Sequence, residues 1–338
     1  MTFDGTSLET LVNDISQKTS VSPKMIYGNV DRAKMSGGWH DSERKALHED
    51  YWGNLIFEEV QSSLSKGVTS FEELWEHINF HEFFKGSNRG KKIVNKSERW
   101  WNVQGLMNRS TNIMHRPAAD FLFREEVEKV SPFVMNSMRR DRMLTLIRPY
   151  IQDDTAIIDL GSGWGRYSTL FARNFKGVDV FAGEISEAGR TTTQAISAYF
   201  SLGIKSFDFN YQSWNQLIEV LKSLKDRHLV IFSNHSIEQV TYLNMSLFTD
   251  ILSHCSDVQF VHVEPVGWQL TNERKSLYFS RPPKAKLGPN KGYNKNLAVI
   301  LKQLSDDKKI KDLSAITNYL SFGNTRNSGT LLTYRGLE

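Results

Sequence analysis

From position 157 onward the chain alternates two kinds of hydrophobic pattern. Continuous apolar runs at 157–160, 178–184, 204–209, 228–234 and 258–263 read as strands buried on both faces. Between them apolar residues recur at the helical period, as Tyr167, Leu170, Phe171 and Phe175, and again as Trp214, Leu217, Ile218 and Leu221. A polar helix over 186–202 is closed by Gly203, and Ser213 with Gln216 matches a capping box. Strands separated by helices predict a parallel sheet wound on both faces, with ligands outside the carboxyl ends of its strands. After a helix near 293–304, strand patterns at 315–322 and 330–335 are joined by a link too short for a crossover helix, which makes them an antiparallel hairpin.

The first part of the chain has a different texture. Leu8, Leu11, Val12 and Ile15 share one helical face, as do Phe71, Leu74, Trp75 and Ile78. Met143, Leu144, Ile147 and Ile151 form the stripe of a helix leading into the sheet. The pattern therefore divides the chain into a mainly helical N-terminal region, 1–135, and an α/β domain, 136–338.

The first strand empties into Gly161-Ser162-Gly163-Trp164-Gly165-Arg166, a glycine-rich turn able to wrap a ligand. Its spacing is not the Gly-x-Gly-x-x-Gly of a dinucleotide fingerprint, since Arg166 stands where that pattern continues. Asp159, at the strand end, would repel a phosphate and suit a cationic or hydroxyl-rich ligand. S-adenosylmethionine is such a ligand: its ammonium and sulfonium are positive and it carries no phosphate. Glu184 closes the second strand near the interval at which nucleotide-binding sheets place an acid on ribose hydroxyls. Asp208 closes the third, placed for an adenine amino group, with Phe209 beside it to pack on the ring.

The fourth strand ends at Asn234 and runs into His235-Ser236-Ile237-Glu238-Gln239; the fifth ends at Glu264. Asn234 is grouped with the cofactor residues. His235 is the candidate general base, Glu238 can orient it or act itself, and Glu264 is placed to hold substrate hydroxyls. Ser236 and Gln239 also match a capping box, so part of this motif has a purely structural reading.

On these residues the chain resembles class I S-adenosylmethionine-dependent methyltransferases, whose seven-stranded Rossmann-like sheet is mostly parallel with the last strand antiparallel. More narrowly, IIDLGSGWGR, SNHSIEQV, HVEPVGW and GYNKNL are similar to a bacterial group described as sugar O-methyltransferases. The resemblance implies that Asp159, Gly161, Gly163 and Gly165 hold the methionine end of S-adenosyl-L-methionine, Glu184 the ribose and Asp208 the adenine, with S-adenosyl-L-homocysteine as product. It implies a saccharide or other small-molecule acceptor, and the basic charge of the segment 267–293 would suit a phosphorylated or nucleotide-linked one. Small-molecule or peptide N-methylation, RNA methylation and a non-catalytic cofactor-binding subunit stay open as alternatives.

Composition narrows this further. The 338 residues carry a formal charge of +4, too weak a bias to imply nucleic acid. One cysteine, Cys255, gives no internal disulfide framework, and no apolar run is long enough to span a membrane, so a cytoplasmic protein is expected, with a homo-oligomer left open. The His77 and His81 pair lies in an aromatic helix without the His-Glu-x-x-His pattern, and no metal is expected. No Asn/Asp-Pro-Pro-Tyr motif follows the fourth strand, which disfavours base N-methylation. Trp52 and Trp75 read as core. Trp100 and Trp101, in a polar stretch, read as acceptor-facing, as do Trp268 and Tyr293 at either end of a basic segment running from 267 to 293.

Overall fold

A computed structural model describes residues 6–27, 41–82, 119–123, 126–130, 132–270, 294–322 and 328–337. The periodic N-terminal segments are helices. α1 (Leu8–Thr19) begins at Ser7, whose hydroxyl accepts the Thr10 N–H at 3.1 Å, and buries Leu11, Val12 and Ile15. α2 (Pro23–Ile26) follows, and then α3 (Asp41–Asp50), which continues directly into a seven-residue π-helix (Tyr51–Phe57) and α4 (Glu58–Ser65). α5 (Phe71–His81) is capped by the Ser70 hydroxyl and buries the expected Phe71, Leu74, Trp75 and Ile78.

Two strands lie in the region read as helical: β1 (Ala119–Phe123) and β2 (Glu126–Val130) pair antiparallel. Each offers only five residues, too few for a period to stand out from sequence. α6 (Pro132–Ile147) then leads into the α/β part. Its elements in chain order are β3 (Ala156–Leu160), α7 (Arg166–Asn174), β4 (Asp179–Glu184), α8 (Glu187–Tyr199), β5 (Lys205–Asp208), α9 (Asn215–Ser223), β6 (Leu229–Asn234), α10 (Ser246–His254), β7 (Val258–Glu264), α11 (Gly267–Leu270), α12 (Leu297–Asp306), β8 (Ile310–Phe322) and β9 (Gly329–Gly336).

The strands form one sheet in the order β2-β1-β8-β9-β7-β6-β3-β4-β5. Neighbours from β7 to β5 are parallel, while β9 runs antiparallel to both β7 and β8. The seven strands β3 to β9 are thus the expected Rossmann-like sheet with its reversed last strand. The β1–β2 hairpin extends it, β1 pairing with the end of β8.

Alternation along each strand splits the core into two layers. Ile158, Leu160, Ile231 and Phe260 face one side, against Leu217 of α9 and Ile251 of α10. Ile157, Val230, Val261 and Val263 face the other, against Leu170 and Phe171 of α7. That second layer also contains Ile56, Val60, Leu74, Trp75 and Ile78, so the N-terminal helices share the sheet's own core. Polar contacts fix the same junction: the Trp75 indole donates to the Arg166 carbonyl at 2.9 Å. The Glu49 carboxylate accepts the N–H groups of Glu187 and Ala188, the latter at 2.8 Å, at the start of α8, where a negative charge is favoured.

Candidate functional site

The carboxyl ends of β3, β4 and β6, with the loop after β5, open into one cavity of about 420 Å³, within the range of small-molecule and cofactor sites. Its floor is the glycine turn. Gly161, Gly163 and Gly165 all take positive φ, at 75°, 58° and 79°. A Cβ would lie 2.4 Å from the Ser236 Cβ at Gly161, 3.0 Å from the Trp52 ring at Gly163, and 2.5 Å from the Thr193 hydroxyl at Gly165. Neighbouring protein and backbone conformation demand these glycines here. Gly161 and Gly163 line the cavity, whereas Gly165 is the N-cap of α7 and does not.

The turn spends its own donors. The N–H groups of Gly161 and Ser162 both go to the Gly183 carbonyl, at 2.8 and 2.9 Å. The Gly163 N–H goes to the Glu184 carboxylate at 2.9 Å and that of Gly165 to the Ser162 carbonyl at 3.0 Å. A pyrophosphate cradle needs such donors free, and these four are not. Two carboxylates at the strand ends face the cavity instead. Asp159, which accepts the Ser168 hydroxyl at 2.6 Å, is pushed up to about 7 by burial, with the nearby Glu184 adding to the shift. Glu184 accepts the backbone N–H and hydroxyl of Ser186 at one oxygen and Gly163 at the other, leaving acceptor capacity on a four-lone-pair group. Such a floor attracts a cation or hydroxyls.

His235 follows β6 with φ at +52°, in the left-handed region that non-glycine residues rarely occupy. The geometry is held from below. Glu264 is fully buried and accepts the Ser233 hydroxyl and the backbone N–H groups of Ser236, Ile237 and Glu238 within 2.8 to 3.2 Å. Since Ser233 donates to Glu264, it accepts from His262 Nδ1, and His262 Nε2 then accepts the Tyr334 hydroxyl at 2.9 Å. From above, Asn294, Lys295 and Asn296 bond the backbone of 238–243, which gives the Asn-Lys-Asn motif a scaffolding role. The His235 ring lines the cavity and its Nδ1 meets the Glu238 carboxylate at 3.2 Å, while Nε2 has no partner among the described residues. Burial opposes a charge on His235, but Glu238 and then Glu264 outweigh it and raise its pKa.

Several expected positions differ. Glu264 does not reach the cavity and cannot hold substrate hydroxyls there; its oxygens are taken by its own chain. Glu238 is also buried, and its carboxylate meets His235 Nδ1. Asp208 is half exposed and pairs with Arg190 at 3.1 Å, so Phe209, with Asn210 and Tyr211, forms that wall of the cavity in its place. Asn234 lines the cavity. Trp268 is buried against Leu11, Val12, Ile15 and Tyr242, away from the site. Trp100, Trp101, Tyr293 and most of the basic segment, 271–293, lie outside the described residues. Neither capping box forms: Trp214 is the N-cap of α9, Gln216 instead accepting the Asp208 N–H at 2.9 Å, and the Ser236 side chain caps nothing in its one-turn helix.

Sequence reasoning missed the other wall. His48, Tyr51, Trp52 and Glu82 line the cavity from the N-terminal helices, and Trp52, read as core, packs over Gly163. Tyr51 meets Trp52 edge-on at 4.6 Å between ring centres, and His48 lies nearly parallel to it at 6.3 Å. The signal was the aromatic pair itself, at the start of a π-helix, a deformation frequently found at functional sites.

No protein-family model matches the chain, and no curated protein matches it either. Among solved structures it is similar to an O-methyltransferase from Bacillus cereus in complex with SAH, at 11% identity and a TM-score of 0.41, over 59% of this chain and 80% of that one. It is similar to a geranyl diphosphate C-methyltransferase from Streptomyces coelicolor A3(2), at 13% identity and 0.39, over 62% and 80%. A coclaurine N-methyltransferase bound to N-methylheliamine and SAH matches at 12% identity and 0.39, over 86% and 77%. These are distant likenesses, and neither reaction nor substrate carries over from them to this chain.

Proposed function

We propose that the chain is an S-adenosylmethionine-dependent O-methyltransferase acting on a hydroxyl of a sugar or sugar-like small molecule. The observation that carries this reading is the cavity floor: two carboxylates face it while the glycine turn's N–H groups are bonded internally. That acceptor set fits a cationic, phosphate-free nucleoside. Asp159 would hold the ammonium, Glu184 would offer its remaining acceptor site to the ribose, and Phe209 would pack beside the base. When bound, the cofactor supplies a methyl group already activated by its sulfonium and leaves as S-adenosylhomocysteine.

The chain then has one chemical task, removal of a proton from the acceptor hydroxyl as its oxygen is alkylated. His235 takes that proton at Nε2, and Glu238 holds Nδ1 so that the ring presents Nε2 and the imidazolium is stabilised as it forms. Glu264 and the Ser233, His262 and Tyr334 chain keep the strained loop in place beneath it. The aromatic wall of Tyr51 and Trp52 suits the apolar face of a sugar ring. The sugar class rests on the motif resemblance.

The test is a mass-spectrometric screen of saccharides and sugar nucleotides with S-adenosylmethionine, reading gain of one methyl group. His235→Ala should lower turnover at least ~100-fold with cofactor affinity nearly unchanged. Unchanged turnover at saturating acceptor removes the general-base assignment, and methylation of amines alone removes the hydroxyl acceptor.

A further inference from the structure

Three buried donors in this cavity's lining residues have no partner among the described residues: Trp52 Nε1, Ser162 Oγ and Arg166 Nε. Their residues surround the glycine turn. Ser162 and Arg166 flank the glycine turn, and the Trp52 ring edge that includes Cε2, the atom bonded to Nε1, lies over Gly163. The rest of the corner is satisfied. Arg166 Nη2 pairs with Glu82, which also accepts the Trp164 indole N–H at 3.0 Å, so the guanidinium is held in place with its Nε–H left over. Buried donors without acceptors are costly to a fold, and three around one turn form a place prepared for an acceptor that none of the described residues provides.

We propose that Trp52, Ser162 and Arg166 form a carboxylate-binding corner, which takes the α-carboxylate of the cofactor's amino-acid end. The inference rests on the methyl-donor reading above. It supplies what the acidic floor lacks: Asp159 matches the ammonium of that amino-acid end, and the orphaned donors match its carboxylate, so the two sides together read a zwitterion. It also gives the N-terminal helices a direct part in cofactor binding, through one indole N–H. A carboxylate on an acidic acceptor would satisfy the same donors, and the choice of ligands below separates the two sources.

The experiment measures binding of S-adenosylhomocysteine and of 5′-methylthioadenosine, which lacks the amino-acid end, to the full chain without acceptor, for wild type, Trp52→Phe and Ser162→Ala. Wild type should prefer S-adenosylhomocysteine. Each substitution should weaken it about tenfold, as expected for losing a hydrogen bond to a charged group, and leave 5′-methylthioadenosine unchanged. Equal weakening of both ligands would make the residues mere packing and overturn the corner. So would two substitutions that change neither ligand, which would leave an acidic acceptor as the source of the carboxylate. Wild type binding both ligands equally removes the corner but leaves the nucleoside site standing. Failure to bind either removes the methyl-donor reading along with it.

Discussion

His235 combines a left-handed backbone, a carboxylate on one ring nitrogen and a cavity on the other side. A backbone conformation that disfavours a side chain persists only where the surroundings over-determine it, and such outliers cluster at functional sites. The pairing also sets a pH dependence. A general base acts in its neutral form, and the neighbouring carboxylates raise the His235 pKa, so turnover should rise with pH through a value above that of an ordinary imidazole. Glu238→Gln removes the charge that sustains the shift. The acid limb of the kcat profile should then move to lower pH, whereas a purely structural role for Glu238 would lower the whole profile without displacing it. His235 was legible in the sequence because it follows a buried strand at the end where ligands bind. Its twist was not, because Glu264, 29 residues further along, imposes it through backbone N–H groups. Asp208 failed for a related reason: strand-end position was right, but Arg190 draws the carboxylate outward.

At the scale of elements, the β3 turn and the π-helix fit each other as one surface. Gly163 has room for no side chain because Trp52 lies there, and α8 presses Thr193 against Gly165 in the same way. Gly165→Ala should therefore destabilise the protein by more than the roughly 1–2 kcal/mol of a left-handed alanine, since its Cβ would also meet the Thr193 side chain. In urea melts the double substitution with Thr193→Ala should recover the clash and not the backbone penalty. Full recovery would mean that the backbone conformation costs nothing. Strands and amphipathic helices were readable because their periods are local. The failed capping boxes show the limit of local reading, since Ser236 has its N–H satisfied by a carboxylate from β7 where a box would use Gln239.

Across the whole molecule, buried ionisable groups link the fold to pH. Asp159 and Glu264 are both held at about 7, mainly by burial, so in the folded protein they keep protons that the unfolded chain releases near pH 4. Their contribution to stability is present at acidic pH and lost as pH rises through about 7, and the raised His235 has the same sign. His262 opposes them: burial pushes it down to about 3, so it costs stability as pH falls below the ordinary imidazole range. The two acids outnumber it over the shared window. The melting temperature should then fall between about pH 5.5 and pH 8, and Glu264→Gln should flatten that fall. A melting temperature that climbs over this range would contradict the assignment. The seven-stranded plan was legible because each crossover leaves its own signature. The hairpin of β1 and β2 was not, being short and completed only by a distant partner.

That distance has a consequence for synthesis. Phe121 pairs with Phe322, about 200 residues later in the chain. At a translation rate of roughly 5–20 residues per second, the hairpin leaves the ribosome ~10–40 s before the strand that completes it. During that interval its outer ladder is open to any extended segment nearby, a neighbouring nascent copy included. β8 is therefore the strand that ends the hairpin's exposure, and a pause in translation just before residue 310 would prolong it.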